Sequence, residues 1–211
     1  MNIRTRIVAA LLSLGLVLAT ADALAGNQRY EPLSASVRAA LSKAVADQAV
    51  PYLAFESADE ARAWLNVMSA RLAKRIPDRV QREEFLVTVH YEAKRAGLDP
   101  QLVLGIIQVE SGFRKYAVSS AGARGYMQVM PFWVQLIGTT ENNLFHLRTN
   151  LRFGCIILRH YLDIEKGDLF RALGRYNGSL GRAEYPNMVL AAWQHQWTYP
   201  VRNDQHKTAG L

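Results

Sequence analysis

Hydrophobic residues recur at helical spacing along most of this chain. In the stretch 34–49, Val37, Leu41 and Val45 stand four positions apart, which places their side chains on one face of an α-helix. The chain has no internal repeat, and no segments that alternate apolar and polar residues between Asn-Gly or Asp-Gly turns, so β-strands should be scarce. The pattern therefore predicts an all-α fold.

Start and stop signals divide the pattern into successive helices. Ser57 opens a capping box, and Asp78 precedes a further helix that Gly97 should end with a left-handed backbone conformation. Asp99 followed by Pro100 is a strong start signal, because proline suits the first helical position. The predicted helices cover residues 34–49, 57–76, 78–96, 99–111, 131–137, 148–166, 168–176 and 186–196.

The first 25 residues have the three-part pattern of a secretory signal peptide. Arg4 and Arg6 form a basic start, an apolar run covers 7–19, and Ala-Leu-Ala at 23–25 matches a cleavage site. The run is shorter than the roughly 20 residues that a transmembrane helix needs, so we favour cleavage over a membrane anchor. No cysteine near the site could carry acyl chains. We therefore expect a soluble mature chain, without stable membrane insertion, that is periplasmic or secreted.

Length and composition suit one sizeable domain, since the chain has 211 residues of which 50% are hydrophobic. We expect a signal peptide over residues 1–25, an N-terminal helical segment over 26–82, the main domain over 83–200 and a C-terminal tail over 201–211.

The net charge indicates an anionic partner. The formal charge is +7, and loss of Arg4, Arg6 and Asp22 with the signal peptide removes a net +1 and leaves about +6. The basic residues are scattered singly, without a zinc-finger, homeodomain or RNP signature, which argues against nucleic acid as the partner. A polyanionic cell wall suits an exported chain better.

One acidic residue stands on the apolar face of the helix predicted over 99–111. Glu110 follows Val103 by seven residues, Ile106 by four and Ile107 by three, so it shares their face. Burial of a carboxyl disfavours its charged form and raises its pKa, as a general acid requires. Glu110 is therefore the first candidate for catalysis. The alternatives are a solvated surface glutamate and a buried ion pair, for instance with Arg124.

Two later segments carry further candidate residues. A small, glycine-rich loop at 119–125 would let a sugar approach closely, and it leads to Gln128, whose amide could fix a hydroxyl or acetamido group. Tyr176 and Asn177 precede Gly178 at a predicted helix end and could point into a cleft. Taken singly, each segment is as typical of an ordinary turn or core position.

No metal or other cofactor is expected. The five histidines are too scattered for paired ligand spacing, and no His-Glu-x-x-His motif occurs. The single cysteine, Cys155, lies in an apolar helical context where a free thiol behaves as a small hydrophobic residue. A catalytic thiolate is the less favoured alternative, because no basic residue is clearly placed to lower its pKa.

Several of these residues form an ordered set of short motifs. The set comprises Glu-Ser-Gly-Phe at 110–113, Ala-Val-Ser-Ser at 117–120, Gly-Tyr-Met-Gln at 125–128, Asn-Leu at 150–151 with Gly154, and Tyr-Asn at 176–177. In this order and spacing the chain resembles the soluble lytic transglycosylase (SLT) domain, which is related to goose-type lysozyme in glycoside hydrolase family 23. The resemblance covers residues 86–197, and the ordered combination is specific where each motif alone is not.

The resemblance implies a lysozyme-like helical domain that cleaves peptidoglycan glycan strands between N-acetylmuramic acid and N-acetylglucosamine and leaves 1,6-anhydromuramic ends. It implies that Glu110 is the general acid and base. It also implies that the substrate is lined by Ser119, Gln128, Met130, Tyr176 and Asn177. The family usually has leucine where this chain has Tyr126, so bulk and a hydroxyl are expected near the cleft. No Asp or Glu occurs between Ser111 and Thr140, which fits chemistry without a second carboxylate nearby.

Two rival functions stay open on the sequence. In the first, the enzyme is a hydrolytic lysozyme with Glu141 or Asp163 activating water. In the second, the domain binds the wall without catalysis, and the region before Arg82 recruits partners in cell-envelope machinery. A basic nucleic-acid module ranks last.

Overall fold

A computed structural model describes residues 28–199 of the chain. Within them the regular structure is helical, which confirms the predicted all-α class. The signal peptide predicted over 1–25 and the tail over 201–211 lie outside the described residues. The helices are α1 Ala35–Val45, α2 Ala58–Leu72, α3 Arg79–Arg95, α4 Pro100–Ser111, α5 Phe132–Ile137, α6 Leu147–Ile164, α7 Leu169–Asn177 and α8 Glu184–Ala192, followed by a π-helical turn, Trp193–Trp197.

The predicted helix starts are confirmed by side-chain caps. In each case the cap oxygen accepts a backbone N–H of the first turn, which would otherwise lack a partner. The capping residues are Ser34, Ser57, Asp78, Asp99 and Asp168.

Some predicted boundaries are wrong by a few residues. Helix α1 stops at Val45 instead of continuing to residue 49, because Asp47 accepts the backbone N–H of Ala49 and turns the chain. Helix α8 begins at Glu184, ahead of its predicted start at Pro186. A proline is tolerated there, since the first-turn N–H groups have no helical partner.

Helix α4 lies at the centre of the core, in contact with α3, α8 and the π-helical turn. Gly105 on α4 is buried: a Cβ there would lie 3.1 Å from the backbone nitrogen of Trp193. Glycine thus allows the closing turn to approach α4. Cys155 is a fully buried free thiol whose pKa is raised well above its ordinary value by burial, which supports its core interpretation.

A cluster of charges joins the N-terminal segment to α3 and α6. The fully buried Glu92 carboxylate accepts from the guanidinium groups of Arg95, Arg148 and Arg152 at 3.1–3.3 Å. Arg148 also pairs with Asp47 at 3.1 Å, just beyond α1. A buried charge is stable only while it is paired with an opposite charge. The residues of this cluster therefore stay together and hold α1 against the main domain. No helix among residues 28–199 is long and apolar enough to cross a membrane.

We expect Glu92→Gln to lower the free energy of unfolding by about 3–5 kcal/mol, because it leaves buried guanidinium charges without their carboxylate. The matched control is Glu83→Gln, which removes an exposed pair with Arg79 and should cost at most about 1 kcal/mol. Urea unfolding followed by tryptophan fluorescence measures both. Equal losses in the two variants would contradict the importance of the cluster.

Candidate active site

The Glu110 carboxyl lies on the last turn of α4, which ends at Gly112 in the left-handed conformation. The residue is only 4% exposed, and burial raises the pKa of its carboxyl to about 8, against a lowering by the hydrogen bond from Tyr185. The Tyr185 hydroxyl donates to Oε1 at 2.6 Å. Oε2 is buried and has no partner among the described residues. The desolvation expected from helical phase is therefore present.

The alternative interpretations of Glu110 do not fit this geometry. Arg124 is exposed and its guanidinium lies 5.9 Å from the centre of the Phe145 ring, so it does not pair with Glu110. Glu141 is exposed, and Asp163 pairs with Arg159 at 2.6 Å. Neither of these carboxylates contributes to the pKa shift of Glu110. The described part of the chain thus presents Glu110 as a solitary acid.

The glycine-rich loop after α4 is held by its own backbone and by short polar side chains. Ser119 Oγ accepts the N–H of Ala123 at 3.1 Å, and Gly125 N–H donates to the Ala117 carbonyl at 2.9 Å. Ser119 is half-buried at the loop surface. Its hydroxyl proton is not used by the Ala123 bond, so the side chain can still donate to a ligand.

Gln128 supports the loop from within rather than presenting its amide to a cleft. It is 1% exposed and has a left-handed backbone with φ 49°. Its Nε2 donates to the carbonyls of Ala117 and Gly125 at 3.1 and 2.9 Å. Both amide protons are therefore engaged, which corrects the expectation that this group is free to donate to a sugar.

Asn150 on α6 fixes the same loop from below. Its Oδ1 accepts the Met127 N–H at 2.8 Å, and its Nδ2 donates to the carbonyls of Arg124 and Leu144 at 2.8 and 2.9 Å. A Cβ at Gly125 would lie 2.4 Å from Asn150 Nδ2. The motif pair of glycine and asparagine is thus a structural requirement of the loop.

Tyr176 and Asn177, the end of α7, lie beneath the surface. Tyr176 is fully buried and its hydroxyl donates to the Met127 carbonyl at 2.7 Å, and Asn177 is 3% exposed. Neither side chain is exposed to solvent in this structure: Tyr176 holds the loop backbone, and both Glu110 and the side chain of Gln28 lie near its phenol. Of the predicted substrate-lining residues, Met130 and Ser119 are the ones that are only half-buried.

The most direct partner of Glu110 was missed by the sequence analysis. Tyr185 opens α8, and its distance of 75 residues from Glu110 along the chain carries no local signal. Burial, and after it the nearby Glu110, raise the pKa of Tyr176 and of Tyr185 well above the ordinary value. Both phenols therefore stay protonated and serve as hydrogen-bond donors.

Tyr126, where the family usually has leucine, is also placed differently from the expectation. Its ring packs against Phe85 with centroids 4.9 Å apart and is 9% exposed. The extra bulk is therefore accommodated mainly by the core. Within residues 28–199, no group of three or more His, Cys, Asp or Glu side chains is placed to hold a metal ion.

Comparisons with known proteins point to one family. A family model described as the transglycosylase SLT domain matches residues 88–187. The transglycosylase of Enterobacteria phage PRD1 is 35% identical over 110 residues, which cover 49% of this chain and 40% of the phage protein. The membrane-bound lytic murein transglycosylase C of Actinobacillus pleuropneumoniae serotype 5b is 52% identical over 52 residues, 25% of this chain and 14% of that protein.

A solved structure of an inactive mutant of lytic transglycosylase Slt from Pseudomonas aeruginosa has a TM-score of 0.43 and 19% identity, and the match covers 89% of this chain and 37% of that chain. The chain thus spans two fifths or less of the length of each of these proteins. Residues 88–187, which carry the buried Glu110 and the loop braced around it, are thus similar to the transglycosylase SLT domain family.

Proposed function

We propose that this chain is a murein lytic transglycosylase, which cleaves the β-1,4 bond between N-acetylmuramic acid and N-acetylglucosamine and leaves 1,6-anhydromuramic ends. The observation that carries the proposal is the solitary buried carboxyl of Glu110, whose pKa is raised to about 8. The SLT domain match and the names of the two relatives, a transglycosylase and a lytic murein transglycosylase, support it.

The hydrogen bond from Tyr185 defines which oxygen of Glu110 acts. Because the phenol donates to Oε1, that oxygen is an acceptor, and the proton of the neutral carboxyl resides on Oε2. Oε2 has no partner among the described residues. It is therefore the oxygen that donates to the leaving glycosidic oxygen when the bond breaks.

The absence of a neighbouring carboxylate favours a substrate-assisted reaction over a two-carboxylate mechanism. The acetamido oxygen of the muramic residue attacks C1 as the leaving sugar takes the Glu110 proton. Glu110, now a carboxylate, removes the proton from the C6 hydroxyl of the same residue, and that oxygen attacks C1. The ring closes to the anhydro form, the acetamido group is released and Glu110 is again protonated.

The remaining predicted residues act around this acid. Ser119 and Met130 lie where they can contact the muropeptide directly, and Tyr176 and Gln128 position them by holding the Met127, Ala117 and Gly125 carbonyls. This ordering keeps the loop at a fixed distance from α4, where Ser111 Oγ donates to the Tyr126 carbonyl at 2.8 Å. A preorganised site of this kind loses little free energy to reorganisation during the reaction.

The proposal includes an envelope location. Residues 1–25 serve as a cleaved signal peptide, and the chain acts on peptidoglycan in the periplasm or outside the cell. The catalytic domain is 83–200, between an N-terminal helical segment at 26–82 and a tail at 201–211. The positive charge of the mature chain suits the polyanionic wall, and cell-envelope machinery is the candidate client.

We expect Glu110→Gln to lower the release of anhydro-muropeptides from purified sacculi by about 10²–10⁴-fold, because one positioned proton-transfer group is lost. Mass spectrometry identifies the products, since anhydro ends lack the water of reducing ends. Glu141→Gln and Asp163→Asn are matched controls and should keep the wild-type rate. A large loss of activity in either control, together with products that carry reducing ends, would favour the hydrolytic lysozyme. Wall binding without any release would favour the non-catalytic binder.

The pH dependence of kcat/KM should fall on the alkaline side with an apparent pKa of about 8. The active form is protonated Glu110, and burial raises its pKa to about 8, so the active fraction declines as pH rises through that value. Initial rates on sacculi between pH 3 and 9 test this. A rate that falls instead through pH 4–5 would show an ordinary exposed acid.

The same ionisation should appear in stability. The folded pKa lies above the unfolded value of 4.5, so the wild-type protein loses stability as pH rises from about 4.5 to about 8, while Glu110→Gln should not. The variant should gain about 3–4 kcal/mol relative to wild type between pH 5 and 8. Urea unfolding at both pH values measures the difference.

We expect Tyr185→Phe to raise the pKa of Glu110 further, because the hydrogen bond that favours the carboxylate is removed. The alkaline limb of kcat/KM should move to higher pH, and kcat should fall about tenfold or more as the carboxyl loses its orientation. Tyr116→Phe, which changes an exposed phenol, is the matched control. An unshifted limb in Tyr185→Phe would contradict its role as a positioning residue.

A further inference from the structure

Residues that precede α1 cover the surface formed by Met130, Phe132 and the end of α7, which we call the groove. Before α1 begins, residues 28–31 run over α5 and the end of α7. We call these four residues the strap. Gln28 is buried, with 5% of its surface exposed, although it lies seven positions before the first residue of any helix in the described chain. A glutamine in an irregular segment is mostly exposed unless a specific site accepts it.

The side chain of Gln28 reaches the predicted substrate-lining residues. Its Oε1 accepts the backbone N–H of Met130 at 3.4 Å. The same side chain approaches the Tyr176 hydroxyl closely enough to lower the pKa of that phenol, against the larger raising effects of burial and of Glu110. A primary carboxamide presents the same carbonyl oxygen and amide nitrogen as the acetamido group of an N-acetyl sugar. Gln28 therefore offers the groove an acetamido-like group.

The fit of Gln28 is incomplete. Its Nε2 is buried and lies near the Tyr176 hydroxyl, but it forms no hydrogen bond of good geometry with the described residues, and so poorly paired a donor costs free energy that a better-fitting ligand would not lose. The oxygen bond of 3.4 Å lies at the long end of the usual range. The Gln28 carboxamide is therefore held in this position, but a ligand that pairs better can replace it.

Two further contacts attach the strap, and both involve the surface of the site. Glu31 pairs with Arg175 at 3.0 Å, next to Tyr176 in the chain. The Tyr30 ring meets the Phe132 ring edge-on with centroids 5.8 Å apart, although Tyr30 is 59% exposed. The ion pair is only partly buried and the aromatic contact involves one exposed ring, so each contributes little and release of the strap costs little free energy.

We propose that the strap is an intramolecular competitive inhibitor, which holds the Gln28 carboxamide beside Met130 and Tyr176 in the place of a glycan acetamido group. The inference rests on the proposed function, since it takes this groove as the glycan site. Glycan binding then requires the strap to leave. Because the closed state competes with substrate, the strap raises KM and leaves kcat unchanged.

The test compares a strap variant with a matched control in the full-length chain. Gln28→Ala combined with Glu31→Ala removes the carboxamide and the ion pair, whereas Arg29→Ala changes an exposed neighbour. On sacculi, the double variant should lower KM about three- to tenfold at unchanged kcat, the equivalent of one or two weak contacts. A merely structural role for Gln28 would leave KM unchanged or raise it, and either result overturns the proposal.

Binding of chitotetraose, measured by calorimetry in the Glu110→Gln background, separates this inference from the proposed function. The dissociation constant should fall about three- to tenfold in the double strap variant and stay constant with Arg29→Ala. If the dissociation constant falls in this way but the wild-type protein releases no anhydro-muropeptides, the proposed reaction is wrong and the proposed inhibition by the strap is supported. If the wild-type protein releases anhydro-muropeptides but the double strap variant changes neither KM nor the dissociation constant, the proposed inhibition by the strap is wrong and the proposed reaction is supported. No chitotetraose binding by any variant counts against the strap.

Discussion

Desolvation of one carboxyl governs the chemistry of this domain. An exposed glutamate has lost its proton at neutral pH, whereas Glu110 keeps it because burial disfavours the charge and raises its pKa to about 8. One hydrogen bond from Tyr185 opposes that effect without reversing it. Had an arginine faced Glu110, the carboxylate would have been favoured instead. The surroundings of Glu110 are therefore defined as much by the charges kept away from it as by its single phenol partner.

The loop that faces this acid owes its shape to side chains that bind backbone. Gln128, Asn150 and Tyr176 together donate to five different backbone carbonyls between residues 117 and 144, and Asn150 also accepts the Met127 N–H. Buried amide and phenol groups that are fully paired in this way define one conformation, and any unpaired member would be costly. Several motif residues that suggest sugar binding are thus the internal support of the site. The groups left for substrate are those at the loop surface.

The part of this arrangement that the sequence predicted is the part governed by local rules. Helix α4 follows from Asp99, Pro100 and the apolar spacing, and the position of Glu110 on its buried face follows from helical phase. The contact with Tyr185 depends on how α8 packs across α4, and no property of residue 185 alone encodes that packing. The orientation of Gln128 was equally hidden, because its left-handed backbone turns the amide inward. Local pattern thus locates the acid, while tertiary packing determines its partners.

The N-terminal segment is attached to the domain with two very different strengths. Around α1, the buried carboxylate of Glu92 and three guanidinium groups form a shared set of contacts, and loss of the carboxylate would leave the buried charge of Arg152 without its main partner. The strap, a few residues earlier, is held by one long hydrogen bond, one ion pair at the surface and one aromatic edge. Because local opening occurs where few buried contacts oppose it, the strap can leave the groove while α1 stays in place. The strap is weakly held, whereas α1, which follows it, is firmly attached. Substrate can therefore displace the strap without unfolding the rest of the domain.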